Sequence, residues 1–433
     1  MKRGFLNSSK AKARTLGPAP SGNSSGSTTE PLPLEPNAPA RLLEGLATDF
    51  GFEQDPSSPN SAVINMRHTS LPSNGPPDEP VSQCIFYPGS KEVLTELPGF
   101  PQPLMHPATP TFCVATFSGK GMGLVSTRAL KMGDLILNER PLLLAPQAMP
   151  IYRPKNCTDQ EHLQRGLAEL EKHIKIALER MRPASRAAYL SLANSCKKEG
   201  LIVGLFLTNG LELAGLRPGV QGPAGNYSAV CKDISRLNHR QVRVAMKNLL
   251  TLTVLASCSP NASTSFDMAS FSYRLYAVRD IAAGEELTYQ YTDVEVPASE
   301  RRKVLKGYDF VCACSACKDA PASDARRATI ASGESLCRAL IEKSFADDAL
   351  VAKCRAHIAL ILKEGLEHII LHGSLIRVLM YAHICRSDAK GASEWATKLD
   401  NFRWENHEDV RALLDPASPA YKKHHFWGTV TVR

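Results

Sequence analysis

Residues 231–262 read "CKDISRLNHRQVRVAMKNLLTLTVLASCSPNA". They hold two short polar fragments, "SRLNH" and "SCSPNA", separated by 17 residues. The separating stretch, Arg240 to Ala256, is basic, contains no acidic residue and ends in the apolar run "LLTLTVLA". A compact polar motif is thus cut in two by a basic, apolar insert.

The chain around it has 433 residues, room for one to three domains, and a hydrophobic fraction of 43%, enough for a substantial core. No run approaches the ~20 apolar residues that span a bilayer, so no membrane role is expected. The longest apolar stretches, "LIVGLFL" and "LLTLTVLA", suit buried strands or short helices. Met1-Lys2-Arg3 is followed by polar residues, not by the apolar segment of a secretory signal. Lys2, Arg3, Lys10, Lys12 and Arg14 without an acid would suit a mitochondrial presequence or a weak nuclear signal. "GPAPSGNSSGSTT" interrupts any amphipathic helix there and favours a disordered tail. Twelve cysteines without a signal segment argue for a reducing compartment, the nucleus or cytoplasm, with mitochondrial import left open. The net charge of +8 is spread beyond residue 80 and permits an acidic partner such as chromatin.

Eighteen of the 30 prolines precede residue 111, and with Ser, Asn and Gly they make 1–80 a disordered Ser/Pro-rich tail. Residues 81–110 read as an extended linker, its apolar start lying against the next domain. From 111, "TFCVATFSGKGMGLVSTRALKMGDLILNERPLLLAP" reads as short strands joined by Gly turns. The pattern Arg128-x-Leu130-x-x-Gly133-Asp134-x-Ile136 returns as Arg279-x-Ile281-x-x-Gly284-Glu285-x-Leu287. Each copy predicts a hairpin, and the two flank one β-rich domain with a large helical insertion at 150–225. In the insertion, Thr158 and Glu161 fit a capping box. Leu163, Leu167, Leu170, Ile174, Ala177, Leu178 and Met181 follow at helical spacing until Pro183. This stripe reads as core. "RAAYLSLANSC" predicts a second helix, and "GLFLTNGLEL" a strand-like segment around a turn. Residues 320–433 predict a helical C-terminal region.

Three motifs carry chemistry. "GKGMGL" has neither dinucleotide nor Walker spacing and precedes a strand, so a tight turn or a close backbone approach to a flat ligand fits better than a phosphate loop. "FVCACSAC" supplies Cys312, Cys314 and Cys317. Structural zinc is tetrahedral and wants a fourth ligand, for which Cys258 of "SCSPNA" is the natural candidate. "GEELTYQY" puts Tyr289 and Tyr291 on one face of a strand. A phenol there either packs or orients an incoming amine. The twelve histidines show neither metal nor triad spacing.

In this order, "GKGMGL", the Arg-x-Leu-x-x-Gly-Asp unit, "SRLNH" with "SCSPNA", "AVRDIAAGEELTYQY" and "YDFVCACSAC" resemble the SET-domain lysine methyltransferases over about 111–318. The split domain and helical C-terminal region are most similar to the SET and MYND domain group and its fungal relatives, without a second zinc pattern for a MYND finger. The resemblance implies an α+β chain: a β-rich SET fold at 111–292 with a helical insertion, a zinc-binding post-SET segment at 308–319 and the C-terminal helices. It implies S-adenosyl-L-methionine as methyl donor, lined by Lys120, Gly121, Met122 and Gly123 and held by Asn238 and His239. Phe310 would stack on the adenine or close the lysine channel, and Tyr291 would be the catalytic tyrosine. Cys258, Cys312, Cys314 and Cys317 would bind one Zn²⁺. The partner would be a lysine-bearing protein or peptide, histone or not, with chromatin association possible and no sequence-specific nucleic-acid binding.

In the family the signature is one continuous Asn-His-x-Cys-x-Pro-Asn. Removing Arg240 to Ala256 restores "NHSCSPN", and removing Gln241 to Ser257 gives "NHRCSPN". The insert is therefore foreign to the fold, as a translated intron, or a genuine loop insertion. A SET fold that binds zinc and peptide without transferring methyl groups is the alternative reading.

Overall fold

A computed structural model of the chain describes residues 65–73, 79–117, 121–220, 222, 224–237, 258–289, 294–306, 312, 314–405 and 407–430. Strands and helices are mixed, with a helical C-terminal region, in agreement with the α+β expectation. No helix among the described residues is long and apolar enough to cross a membrane.

The largest sheet contains β1 (Arg67–Leu71), β2 (Ser82–Phe86), β6 (Leu143–Pro146), β7 (Gly210–Leu213) and β8 (Tyr227–Val230), in the order β1-β2-β6-β8-β7. Only the β2–β6 pair is parallel. Every residue of β2 and β6 is buried, because the sheet is covered on both faces. Side chains alternate between the covers. Ile85, Leu143, Ala145 and Val230 meet Leu170, Ile174 and Leu178 of the helix Asp159–Arg180. Cys84, Phe86, Leu144, Tyr227 and Ala229 meet the two smaller sheets. This corrects two boundaries read from the sequence. Ser82–Phe86 is a buried strand, not part of an extended linker, and Arg67–Leu71 pairs with it from within the supposed tail. Proline and polar residues around these strands hid two five-residue segments that are stable only inside a sheet.

The smaller sheets are β11-β4-β3 and β5-β10-β9, built from β3 (Phe112–Phe117), β4 (Gly121–Ser126), β5 (Leu135–Glu139), β9 (Ala262–Asp267), β10 (Ser272–Ala277) and β11 (Glu286–Leu287). The two repeated sequence units lie here, but neither is a hairpin. The strand before each turn pairs with the strand after the other turn: β4 with β11, and β10 with β5. Equivalent bonds join the copies in both directions. Leu130 and Ile281 exchange N–H···O bonds of 2.9 Å each. Gly133 N donates to Ala277 O and Gly284 N to Ser126 O, both at 2.8 Å. Within each copy the carboxylate caps its own turn, Asp134 accepting from Lys131 N and Glu285 from Ala282 N, both at 3.0 Å. The result is a local two-fold arrangement of interlocked corners. A two-residue primed turn is what folds a strand back on itself. Eight residues, 127–134, separate β4 from β5, and a single glycine at positive φ turns the chain into the other sheet instead.

In the insertion, Thr158 and Glu161 form the expected capping box, and the stripe from Leu163 to Leu178 is buried. Pro183 closes one helix and opens the next, Pro183–Leu190. "GLFLTNGLEL" departs from its strand reading: Leu201–Asn209 is a helix, and only Gly210–Leu213 is strand. The run is apolar on all sides, so periodicity could not choose. Thr208 Oγ1 donates to Gly204 O (2.6 Å) and Asn209 Nδ2 to Leu205 O (2.8 Å), bonds between residues four apart that suit a helix.

The C-terminal region contains the helices Ala320–Ala331, Gly333–Glu342, Asp348–Glu364, Ile370–Cys385 and Ala389–Asp400. Leu375, Leu379, Ile384, Ala392, Ala396 and Leu399 fill its core. A buried guanidinium joins it to the β body. Arg327 pairs with Glu364 Oε2 (2.9 Å) and donates to the carbonyls of Cys258 (2.8 Å) and Val294. At a second contact, Gly133 of the first corner lies against Asn401.

These contacts set the cost of two substitutions. Gly133 and Gly284 both have positive φ, but a Cβ on Gly133 would lie 2.8 Å from Asn401 O, whereas Gly284 faces open space. Gly284→Ala is expected to cost ~1–2 kcal/mol in chemical denaturation, and Gly133→Ala distinctly more. Arg327→Met leaves the carbonyls of Cys258 and Val294 without their donor and the buried Glu364 with Arg326 as its one remaining cation, and is expected to cost ~3–5 kcal/mol.

Candidate functional site

The second half of the divided motif enters the described structure at Cys258, fully buried. Its sulfur lies 3.9 Å from Cys312 Sγ and 3.4 Å from Cys317 Sγ. With Cys314 the four sulfurs lie within 4.8 Å of one another. Cys314 caps the short helix Ser315–Lys318, its carbonyl accepting from Cys317 N (3.0 Å) and Lys318 N (2.9 Å). That single turn brings Cys314 and Cys317 into the same cluster. Disulfide sulfurs are ~2.05 Å apart, so these are not bridges. Sulfurs at ~2.3 Å from a tetrahedral zinc are ~3.8 Å apart, a value bracketed by the 3.4 and 3.9 Å separations. Hydrogen bonds with Cys258, then Cys312, lower the Cys314 thiol pKa, while hydrogen bonds with Cys312, then Cys314, raise that of Cys258. Among the described residues, no other group of three or more His, Cys, Asp or Glu side chains is placed to share an ion. The donor set fits zinc.

Three residues beyond Cys258, Asn261 is also buried, and its amide engages the second corner from both ends. Nδ2 donates to Glu286 O (2.8 Å) and Glu285 Oε1 (3.0 Å), and Oδ1 accepts from Thr288 N (2.7 Å). Asn261 N and Ala262 N both donate to Thr288 O. "SCSPNA" therefore supplies the cysteine cluster with one residue and the "GEELTYQY" segment with another. Tyr289 is half-buried and packs on the core below, the packing role open to it from sequence. Burial raises its phenol pKa.

The first half of the motif is fixed from another side. Glu139, at the end of β5, accepts from Lys232 N (2.6 Å), Asp233 N (3.0 Å) and Ile234 N (2.9 Å). Burial, then the Asp233 charge, pushes its carboxyl up to about 7 against the pull of these donors. Arg236 then reaches Ser191 Oγ at 2.8 Å and Met122 Sδ at 3.6 Å. Gly121, Met122 and Gly123 are strand residues of β4, paired with Phe117, Thr116 and Ala115. The Gly-rich motif thus meets "SRLNH" through Met122 and Arg236. No helix N-terminus follows it, in keeping with the poor fit to a phosphate loop.

Lys120, Asn238, His239, Tyr291 and Phe310 lie outside the described residues, as does the insert 240–256. Sequence spacing gives no role to Asn261, although the residue sits inside a recognised motif. A side chain whose hydrogen bonds all go to backbone and a distant corner has no spacing to announce it. Glu139 is hidden for the same reason, since its partners lie more than ninety residues away.

The family model described as the SET domain matches residues 121–292. The chain is 25% identical over 229 residues to the histone-lysine N-methyltransferase set5 of Schizosaccharomyces pombe, covering 52% of this chain and 57% of that protein. It is 36% identical over 91 residues to the histone-lysine N-methyltransferase SMYD3 of Homo sapiens, 21% of each chain. It is 43% identical over 65 residues to the protein-lysine N-trimethyltransferase SMYD5 of Gallus gallus, 14% of this chain and 16% of that one. The alignments span less than two thirds of each relative's own length. The interlocked corners, the divided motif and the strand that Asn261 pins all fall within 121–292, and this chain carries a SET domain similar to those of the set5 and SMYD lysine methyltransferases.

Proposed function

We propose that the chain is an S-adenosyl-L-methionine-dependent protein-lysine N-methyltransferase with one structural zinc. The observation that carries this reading is the double attachment of "SCSPNA", Cys258 to the sulfur cluster and Asn261 to the strand three residues before Tyr291. Likeness to proteins named as lysine methyltransferases supports it. Lys120, Gly121, Met122, Gly123, Asn238, His239 and Phe310 are the residues assigned to the donor, and Tyr291 to the lysine amine. Cys258, Cys312, Cys314 and Cys317 are the zinc ligands. The substrate is a lysine-bearing protein, histone or non-histone, and chromatin association fits the basic charge.

The donor, when bound, supplies a methyl group on a cationic sulfur. The protein's task is to present a neutral amine. A lysine ammonium has a pKa near 10.4 and must first release its proton to solvent. A narrow apolar channel beside a fixed positive charge favours that loss. Tyr291 and neighbouring carbonyls aim the lone pair, so rate comes mainly from positioning. No conventional general base is needed. Zinc, when bound, would tie Cys258 to Cys312, Cys314 and Cys317 and would supply no chemistry to the transfer.

Isothermal titration with S-adenosylmethionine and transfer of labelled methyl to lysine peptide arrays test this reading, on the full chain and on a form lacking 240–256. Binding by at least one form, with transfer reduced by about 100-fold or more in Tyr291→Phe, is the expected result. Binding without transfer by either form would leave the scaffold reading standing. Absence of binding in both would exclude the enzyme. Separately, zinc should be present at one per chain by mass spectrometry, and removal by chelator should lower the melting temperature. Cys258→Ser should release the metal, and retention of zinc by this variant would remove Cys258 from the ligand set.

A further inference from the structure

The turn that opens the first fragment of the divided motif is held by one side chain from another part of the fold. Both oxygens of Glu139 accept from it: Oε1 from Lys232 N (2.6 Å) and Asp233 N (3.0 Å), Oε2 from Asp233 N (3.1 Å) and Ile234 N (2.9 Å). Three successive main-chain donors thus converge on one carboxyl. Only the ionised group carries no hydrogen at either oxygen. A protonated carboxyl or a glutamine amide has hydrogen at one of the two positions, where it competes with a main-chain N–H. The other bonds of the turn involve no charge. Ser235 Oγ accepts from Cys231 N (3.0 Å) and donates to Asn209 O (2.9 Å), and Leu237 N donates to Ile234 O (3.1 Å). The same turn meets both segments assigned to the methyl donor. Arg236 Nη1 lies 3.6 Å from Met122 Sδ, and the buried Leu237 directly precedes Asn238 and His239 in the chain.

We infer that Glu139 is the positioning residue of the donor side, and that its carboxylate form is the one in which the chain binds S-adenosylmethionine tightly. This rests on the donor assignment proposed above. The charged groups around Glu139 come from the turn itself. Asp233 is nearest in effect, and Lys232 Nζ (3.5 Å) and Arg236 Nε (3.9 Å) lie against the Asp233 carboxylate. Burial keeps the Cys231 thiol protonated. From β10, Tyr273 pairs with Glu139 across the sheet, but its hydroxyl donates to Glu212 O (2.6 Å). Burial, then the Asp233 charge, pushes the Glu139 carboxyl up to about 7. Above that pH the group is ionised and the turn is held at both oxygens. Below it the group is protonated, so donor affinity falls as pH drops through about 7.

The test is isothermal titration with S-adenosylmethionine from about pH 6 to about pH 8, on the full chain and on the form lacking 240–256. At about pH 8, Glu139→Gln is expected to bind the donor ~10-fold more weakly than the parent. The ratio of the two affinities should shrink toward unity at about pH 6, and taking the ratio cancels any titration of the donor itself. Asp233→Asn removes the neighbouring charge and leaves the three main-chain donors in place, so the parent's loss of affinity on acidification should move to lower pH. This variant decides the question if Glu139→Gln does not fold. A folded Glu139→Gln with parental affinity at about pH 8, or a ratio that stays constant over the range, overturns the inference, as does an Asp233→Asn profile that coincides with the parent's. Absence of donor binding by both forms at every pH overturns the methyltransferase reading and this inference with it, whereas donor binding indifferent to Glu139 overturns this inference alone.

Discussion

The constraint on which the site depends is the short tether from Cys258 to Asn261. One end is held in a four-sulfur cluster and the other is hydrogen-bonded into the second corner through both ends of an amide. Neither end can shift without breaking buried bonds. Cys312, Cys314 and Cys317 and the segment Glu285–Thr288 are therefore positioned by the same few residues. Arg327 extends this coupling to the C-terminal helices, since it holds the Cys258 carbonyl and the Glu364 carboxylate at once. Core packing continues the connection: Cys258, Cys312 and Cys317 share a hydrophobic cluster with Leu340, Ile361 and Leu366.

The interlocked corners give this tether a stable base. Each turn is closed by a main-chain bond to the other copy, and each carries its own carboxylate cap. Such an arrangement has no free hairpin to peel away. It also brings together segments far apart in sequence, which is how Glu285 of the second unit comes within reach of Asn261. The helical insertion and the C-terminal helices join this core from opposite parts of the sequence, the first through the five-stranded sheet and the second through Arg327 and Asn401.

Much of this was legible in the sequence. The Thr158–Glu161 cap, the stripe from Leu163 to Leu178 and the C-terminal helices obey local rules that act within a few residues. The cysteine quartet was legible because thiolates and tetrahedral zinc impose a ligand count, which pointed from Cys312, Cys314 and Cys317 back to Cys258. The repeat was visible, but not its strand exchange. Pairing partners are a tertiary choice, and both outcomes give the same local pattern of strand, glycine and strand. β1 and β2 were hidden because short strands gain their stability from neighbours. The helix Leu201–Asn209 was misread because a run apolar on every side has no period. Asn261 and Glu139 could not be found by spacing, since each acts on groups that the fold brings from elsewhere.

The central claim is that the fragment after the insert delivers a ligand to a four-sulfur zinc site and thereby belongs to one functional unit with the fragment before it. X-ray absorption at the zinc edge of the full chain tests this most directly. Four sulfur neighbours at about 2.3 Å, with no nitrogen or oxygen in the inner shell, are the expected result. Three sulfurs with one lighter ligand, unchanged in Cys258→Ser, would contradict it, showing that Cys258 is not a ligand and that the divided motif does not reach the metal.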